Sequence, residues 1–71
     1  MNRINPNKLL RSKWTAPRPE RKEKHFMVTE LWRDEDENVV DVTLEAVLTR
    51  RAYRMPWREL EDAERWLTGW R

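Results

Sequence analysis

Residues 39–48 alternate between apolar and mixed positions. Val40, Val42, Leu44, Ala46 and Leu48 fall on one side of an extended chain. Val39, Asp41, Thr43, Glu45 and Val47 fall on the other. A period of two with one apolar face predicts a strand that has one side on a core and one toward water. The valines and the threonine favour a strand over a helix, because β-branched side chains are stiff at χ1 and suit a pleated surface.

The flanking segments obey the same rule. Residues 25–33 place Phe26, Val28 and Trp32 on one face. A five-residue loop over 34–38 pairs Arg33 with Val39 and sets Trp32 against Val40, Val28 against Leu44 and Phe26 against Ala46. Such cross-strand apolar pairs stabilise a sheet. Glu30 then lands opposite Val42 on the apolar face, which calls for a bulge, an arginine partner or another register. Residues 51–57 place Tyr53, Met55 and Trp57 inward. They follow either a two-residue turn at Thr49-Arg50, pairing Glu45 with Arg54, or a four-residue loop that shifts the register by two. Thr-Arg suits a two-residue turn poorly, and Pro56 marks this strand as an edge or as ending there.

Helical signals lie at both ends. Asn5 as N-cap, Pro6 as first residue, and Ile4 and Leu9 as a hydrophobic staple predict a short N-terminal helix. Asp62 as cap and Gly69 just beyond predict a C-terminal helix over 63–67. It would lie across the apolar sheet face as a lid. Pro17-Arg18-Pro19 reads as a stiff connector, and 20–24 as a charged, solvated stretch. The expectation is an α+β domain spanning 1–71: a basic N-terminal arm (1–24) with a short helix, a three-stranded antiparallel meander (25–57) and a helical lid (58–71). A small SH3-like half-barrel is the accepted variant, with an added strand from residues 13–16.

Composition narrows the chemistry. The chain has 71 residues, five of them Trp, with one Gly, one His and no Cys. A chain this short hides only about 60% of its unfolded surface, so large aromatics supply much of the core. Without Cys there are no disulfides, thiolate nucleophiles or Cys-ligated zinc. Ser12 and His25 do not suggest a dyad, and a single glycine excludes a glycine-rich phosphate loop. Glu30 and Glu45 fall on opposite faces, so acid–base work by that pair is set aside. No enzyme activity, cofactor or metal is expected. The acidic run 34–38 reads as a solvated turn; the alternative, a cation site, lacks the spaced ligands and glycine of a calcium loop. His25 reads as a strand-end surface residue, with a binding role as the alternative. No apolar run spans a membrane and no signal peptide is evident.

Charge is segregated. Residues 1–24 hold eight Lys/Arg against two Glu, net +6; residues 25–49 hold one Arg against seven acids, net −6; residues 50–71 have net +2. Either the basic arm folds back on the acidic sheet, or it is free for an anionic partner.

The run Asn5-Pro6, Lys8-Leu9-Leu10 and Ser12-Lys13-Trp14-Thr15-Ala16 carries one half of a family resemblance. Glu45-Ala46-Val47-Leu48-Thr49-Arg50-Arg51, Tyr53-Arg54, Pro56-Trp57-Arg58-Glu59-Leu60, Asp62, Arg65-Trp66 and Gly69-Trp70 carry the other. The chain resembles a group of small tryptophan-rich bacterial proteins classed as a domain of unknown function. The resemblance implies a bacterial, cytoplasmic protein and assigns no activity, ligand or residue role. Two functions stay open: a protein-interaction module, motivated by Met27, Leu31, Val39 and Val47 on the outer face, and a single-stranded nucleic-acid binder. The second would use Arg11, Trp14, Arg50, Arg51, Arg54 and Arg58 for stacking and phosphate contact. A monomer is expected.

Overall fold

The computed structural model describes residues 1–71. Five strands form one antiparallel sheet: β1 (Lys13–Glu20), β2 (Glu23–Arg33), β3 (Val39–Ala46), β4 (Ala52–Pro56) and β5 (Leu67–Thr68), in the order β4-β3-β2-β1-β5. The only helical elements are 3-10 turns at Pro6–Lys8 and Trp57–Glu61. The fold is therefore nearly all β, which corrects the expected α+β domain with three strands and two helices.

Both helical expectations fail because backbone pairing is available nearby. Asn5 does cap the first turn, its Oδ1 accepting from the Asn7 N–H at 3.1 Å, and Pro6 does open it. Nucleating a helix is costly and one turn gains little, so the chain leaves it at Arg11, where φ is 66°, and enters β1. The segment expected as a lid makes one turn. Asp62 Oδ1 accepts from the Glu64 N–H at 3.0 Å, and the Asp62 carbonyl accepts from the Arg65 and Trp66 N–H groups at 3.1 and 2.9 Å. Leu67 and Thr68 then pair with Thr15 and Trp14. This satisfies the open edge of β1, a long-range gain that overrides local helix propensity. Gly69 takes the left-handed conformation, φ 78°, but turns a strand end rather than capping a helix.

Within the meander, Phe26 opposes Ala46, Val28 opposes Leu44 and Arg33 opposes Val39, as the alternation requires. Two bulges correct the rest. Thr29 is inserted between Val28 and Glu30, so Glu30 faces Thr43 and Leu31 faces Val42. The bulge sends the charge outward and brings Leu31 against the core. Trp32 accordingly moves to the outer face opposite Asp41. There its Nε1–H donates to Thr43 Oγ1 at 2.8 Å and the Arg54 guanidinium lies 3.9 Å from its ring centre. The second bulge inserts Val40, which turns Val39 inward and leaves Val40 exposed. Leu48 lies beyond β3 in a four-residue loop, 47–50. The Ala46 N–H donates to the Arg51 carbonyl at 2.8 Å, and Leu44 pairs with Tyr53. Only Arg50 in this loop needs positive φ, whereas a two-residue hairpin turn demands it earlier and from less suitable residues.

The core joins Leu9, Trp14, Phe26, Val28, Val42, Leu44, Ala46, Leu60 and Trp66. The N-terminal arm is docked, not free. The Asn2 N–H donates to the Glu61 carbonyl at 2.9 Å, and its Nδ2 donates to the Leu60 and Trp66 carbonyls at 2.9 and 2.8 Å. No helix is long and apolar enough to cross a membrane.

Candidate functional site

β1 carries two prolines in a stretch meant to pair with β2, and neither can donate to the ladder. The consequence is a break. Thr15 pairs with His25 and Glu20 pairs with Glu23, so four residues of β1 stand against Lys24 alone. The hairpin closes through Arg21 and Lys22, both at positive φ (54° and 65°), a conformation usually left to Gly or Asn. The displaced strand forms one wall of a groove of about 590 Å³. Phe26, Tyr53 and Met55 line it from the sheet, and Glu64, Arg65 and Trp66 from the turn before β5.

Glu23 ties the groove together. It is 5% exposed, covered by its hydrogen-bond partners at the margin of the fold. Thr49 donates its hydroxyl to one carboxylate oxygen, and Tyr53 donates its hydroxyl to the other at 2.5 Å. The Thr49 bond, then the Tyr53 bond, hold the Glu23 carboxyl below its ordinary range. Burial opposes them, and Arg51 and Arg21 assist. The same contact raises Tyr53, whose proton serves the carboxylate; burial adds to the shift. The carboxylate thus fastens the β1–β2 hairpin to the β3–β4 loop.

Trp66 is the one tryptophan that lines the groove. Its ring packs edge-on against Phe26, centroids 5.1 Å apart, and the residue is 8% exposed. Its Nε1 is buried without an acceptor, the single buried side-chain N or O atom in that state. The other indoles differ. Trp14 donates to Ser12 Oγ at 2.8 Å, Trp32 to Thr43, and Trp70 to the Phe26 carbonyl at 2.9 Å. Trp57 is half-buried with the Arg58 guanidinium 4.6 Å from its ring centre. An unmet buried donor costs about 1–3 kcal/mol, and such groups in native folds call for an explanation.

None of the six residues nominated for nucleic acid lines this groove. Trp14 is 3% exposed, so its ring has no face to offer a base. Arg50 pairs with Glu45 at 3.3 Å, Arg54 with Asp41 at 2.9 Å, and Arg58 with Glu61 at 3.5 Å. Arg11 and Arg51 are exposed and outside the ion pairs. Of the apolar residues expected outside, Leu31 and Val39 are turned inward by the bulges; Met27 is half-buried and Val47 exposed. His25 lies near Trp70, ring centroids 6.0 Å apart, with its Nε2 2.9 Å from the Arg71 carbonyl oxygen. The acidic loop is a turn in which Asp34 Oδ1 accepts from the Asp36 and Asn38 N–H groups, each at 2.9 Å. No group of three or more His, Asp or Glu side chains is gathered as a metal site requires.

The sequence reading missed the groove residues Arg18, Arg21, Glu23 and Trp66. The two prolines were a usable signal, since they forbid a regular ladder at this point. Nothing in the sequence marks an indole that will lack an acceptor. No curated protein and no solved structure matches the chain. A family model described as "Tryptophan-rich protein (DUF2389)" matches residues 12–71. That span takes in every strand, the groove and all five tryptophans, and the chain belongs to this tryptophan-rich family of unknown function.

Proposed function

We propose that the protein is a non-enzymatic interaction module whose groove receives an extended segment of a partner protein. The observation that carries this reading is the groove itself, floored by Phe26, Tyr53 and Met55 and walled by a stretch of β1 that the ladder leaves unpaired. Concave sites with an apolar floor and placed polar groups suit ligands. The broken β1 wall offers strand-like geometry with no regular partner, the setting in which extended segments dock.

The nucleic-acid reading has less support. Three of its arginines are in ion pairs and its tryptophan is enclosed. Peptide display against the folded protein tests the proposal. Met55→Glu, in the groove, is expected to abolish binding of the selected peptides, and Val40→Glu, outside it, to leave binding intact. The opposite pattern, or selection of no peptide at all, would overturn it.

A further inference from the structure

All four ion pairs of the molecule fall between Asp41 and Arg65. None of the eight Lys/Arg in residues 1–24 takes part in one, although residues 25–49 carry seven acids. The basic segment therefore does not neutralise itself on the acidic part of its own chain. Four of these cations, Arg18, Arg21, Lys22 and Lys24, sit exposed on the β1–β2 hairpin, and Arg18 and Arg21 line the groove. Arg65, on the opposite wall, is held by Glu59 at 3.6 Å.

The geometry points to an acidic segment of a partner protein as the occupant of the groove, an inference that rests on the interaction-module reading above. Its apolar side chains would lie on the floor formed by Phe26, Tyr53 and Met55. Its carboxylates would meet Arg18 and Arg21 at the rim, with Lys22 and Lys24 adding to the attraction during approach. Free guanidinium groups pair carboxylates with bidentate geometry, and a cluster of one sign steers a partner of the other. The groove also carries three acids: Glu20 and Glu64, neither of them in an ion pair, and Glu23, held by Thr49 and Tyr53. Discrete carboxylates spaced along a peptide can avoid those three acids, whereas the unbroken charge of a phosphate backbone cannot. The aromatic floor agrees: Phe26 and Trp66 are packed edge to face and buried, leaving no open ring pair for base stacking.

Three decapeptide libraries test this. They share the same apolar positions, and the remaining positions are only Asp/Glu, only Lys/Arg or only Ser/Asn. The acidic library is expected to yield the tightest binders. Their affinity should fall with added salt, and it should fall about tenfold or more in Arg18→Glu, a change in a rim charge that weakens encounter and pairing together. Arg18→Gln should show a smaller loss, which separates charge from any change in folding. Equal binding by the neutral library would leave the groove reading standing and remove the acidic preference. Preference for the basic library would overturn the inference outright. So would comparable binding of a decamer of single-stranded DNA, or salt-sensitive self-association that acidic peptides do not displace. Failure of all three libraries would remove the groove reading itself.

Discussion

The β1–β2 and β3–β4 hairpins share one sheet and are built on opposite terms. β3 and β4 pair without interruption from Asp41–Pro56 to Glu45–Ala52. Two of their three arginines are satisfied internally, Arg54 by Asp41 and the Trp32 ring and Arg50 by Glu45, while Arg51 is exposed and unpaired. In the β1–β2 hairpin the ladder breaks over four residues of β1, two of them proline, and two turn residues hold positive φ. Its cations have no ionic partner. One hairpin spends its side chains on the fold. The other leaves Arg18 and Arg21 facing a groove, and the Glu23 carboxylate adds a tie to Thr49 and Tyr53 beyond the β2–β3 ladder that joins the two.

That contrast can be broken by substitution. The largest loss is expected from Leu44→Ala, at the middle of the regular hairpin where the side chain is fully buried. Cavity formation there should cost about 2–5 kcal/mol in urea unfolding. Asn2→Ala removes two hydrogen bonds to the Leu60 and Trp66 carbonyls. It should cost about 1–3 kcal/mol and lower the thermal midpoint. Arg54→Gln should cost about 0.5–1 kcal/mol through the lost pair and ring contact. Arg18→Gln, on the other hairpin, should change stability by less than about 0.5 kcal/mol. Equal losses for the two arginines would mean that the hairpins do not differ in this way.

The Glu23 tie predicts a pH dependence. A carboxyl held below its ordinary value of 4.5 contributes stability above that pH and loses it as pH falls through the depressed value. Urea unfolding of the native protein and Glu23→Gln should therefore differ by a constant amount near neutrality and converge in acid. Tyr53 runs the other way. A phenol raised above 10.0 contributes below that pH, and its contribution disappears as pH rises through the raised value. A gap between native and Glu23→Gln that widens in acid would contradict the assignment.

Much of the meander was legible because alternation leaves few registers open. Val28 against Leu44, the loop over 34–38 and the edge at Pro56 all follow from the apolar pattern and from proline's missing N–H. Glu30 shows where legibility stopped. Its clash with Val42 announced an irregularity without saying which kind, and only the structure places the extra residue at Thr29 and sends Trp32 outward. Glu30→Ala should accordingly be near neutral, within about 0.5 kcal/mol, although an inward Glu30 would have made it stabilising. The terminal segments were misread for a different reason. Caps at Asn5 and Asp62 are real local signals, but strand pairing between Trp14-Thr15 and Leu67-Thr68 depends on residues more than fifty positions apart, which no local pattern reports. The groove was less visible still, since it arises from a ladder that fails.

The groove between the broken stretch of β1 and the turn before β5 is where a partner docks, and Trp66 is the one tryptophan that lines it. The most direct test follows the five indole N–H resonances during titration with an acidic decapeptide. The Trp66 signal should move furthest, with those of Trp14, Trp32 and Trp70 almost unmoved. A Trp66 resonance that stays in place while the peptide binds would contradict the account.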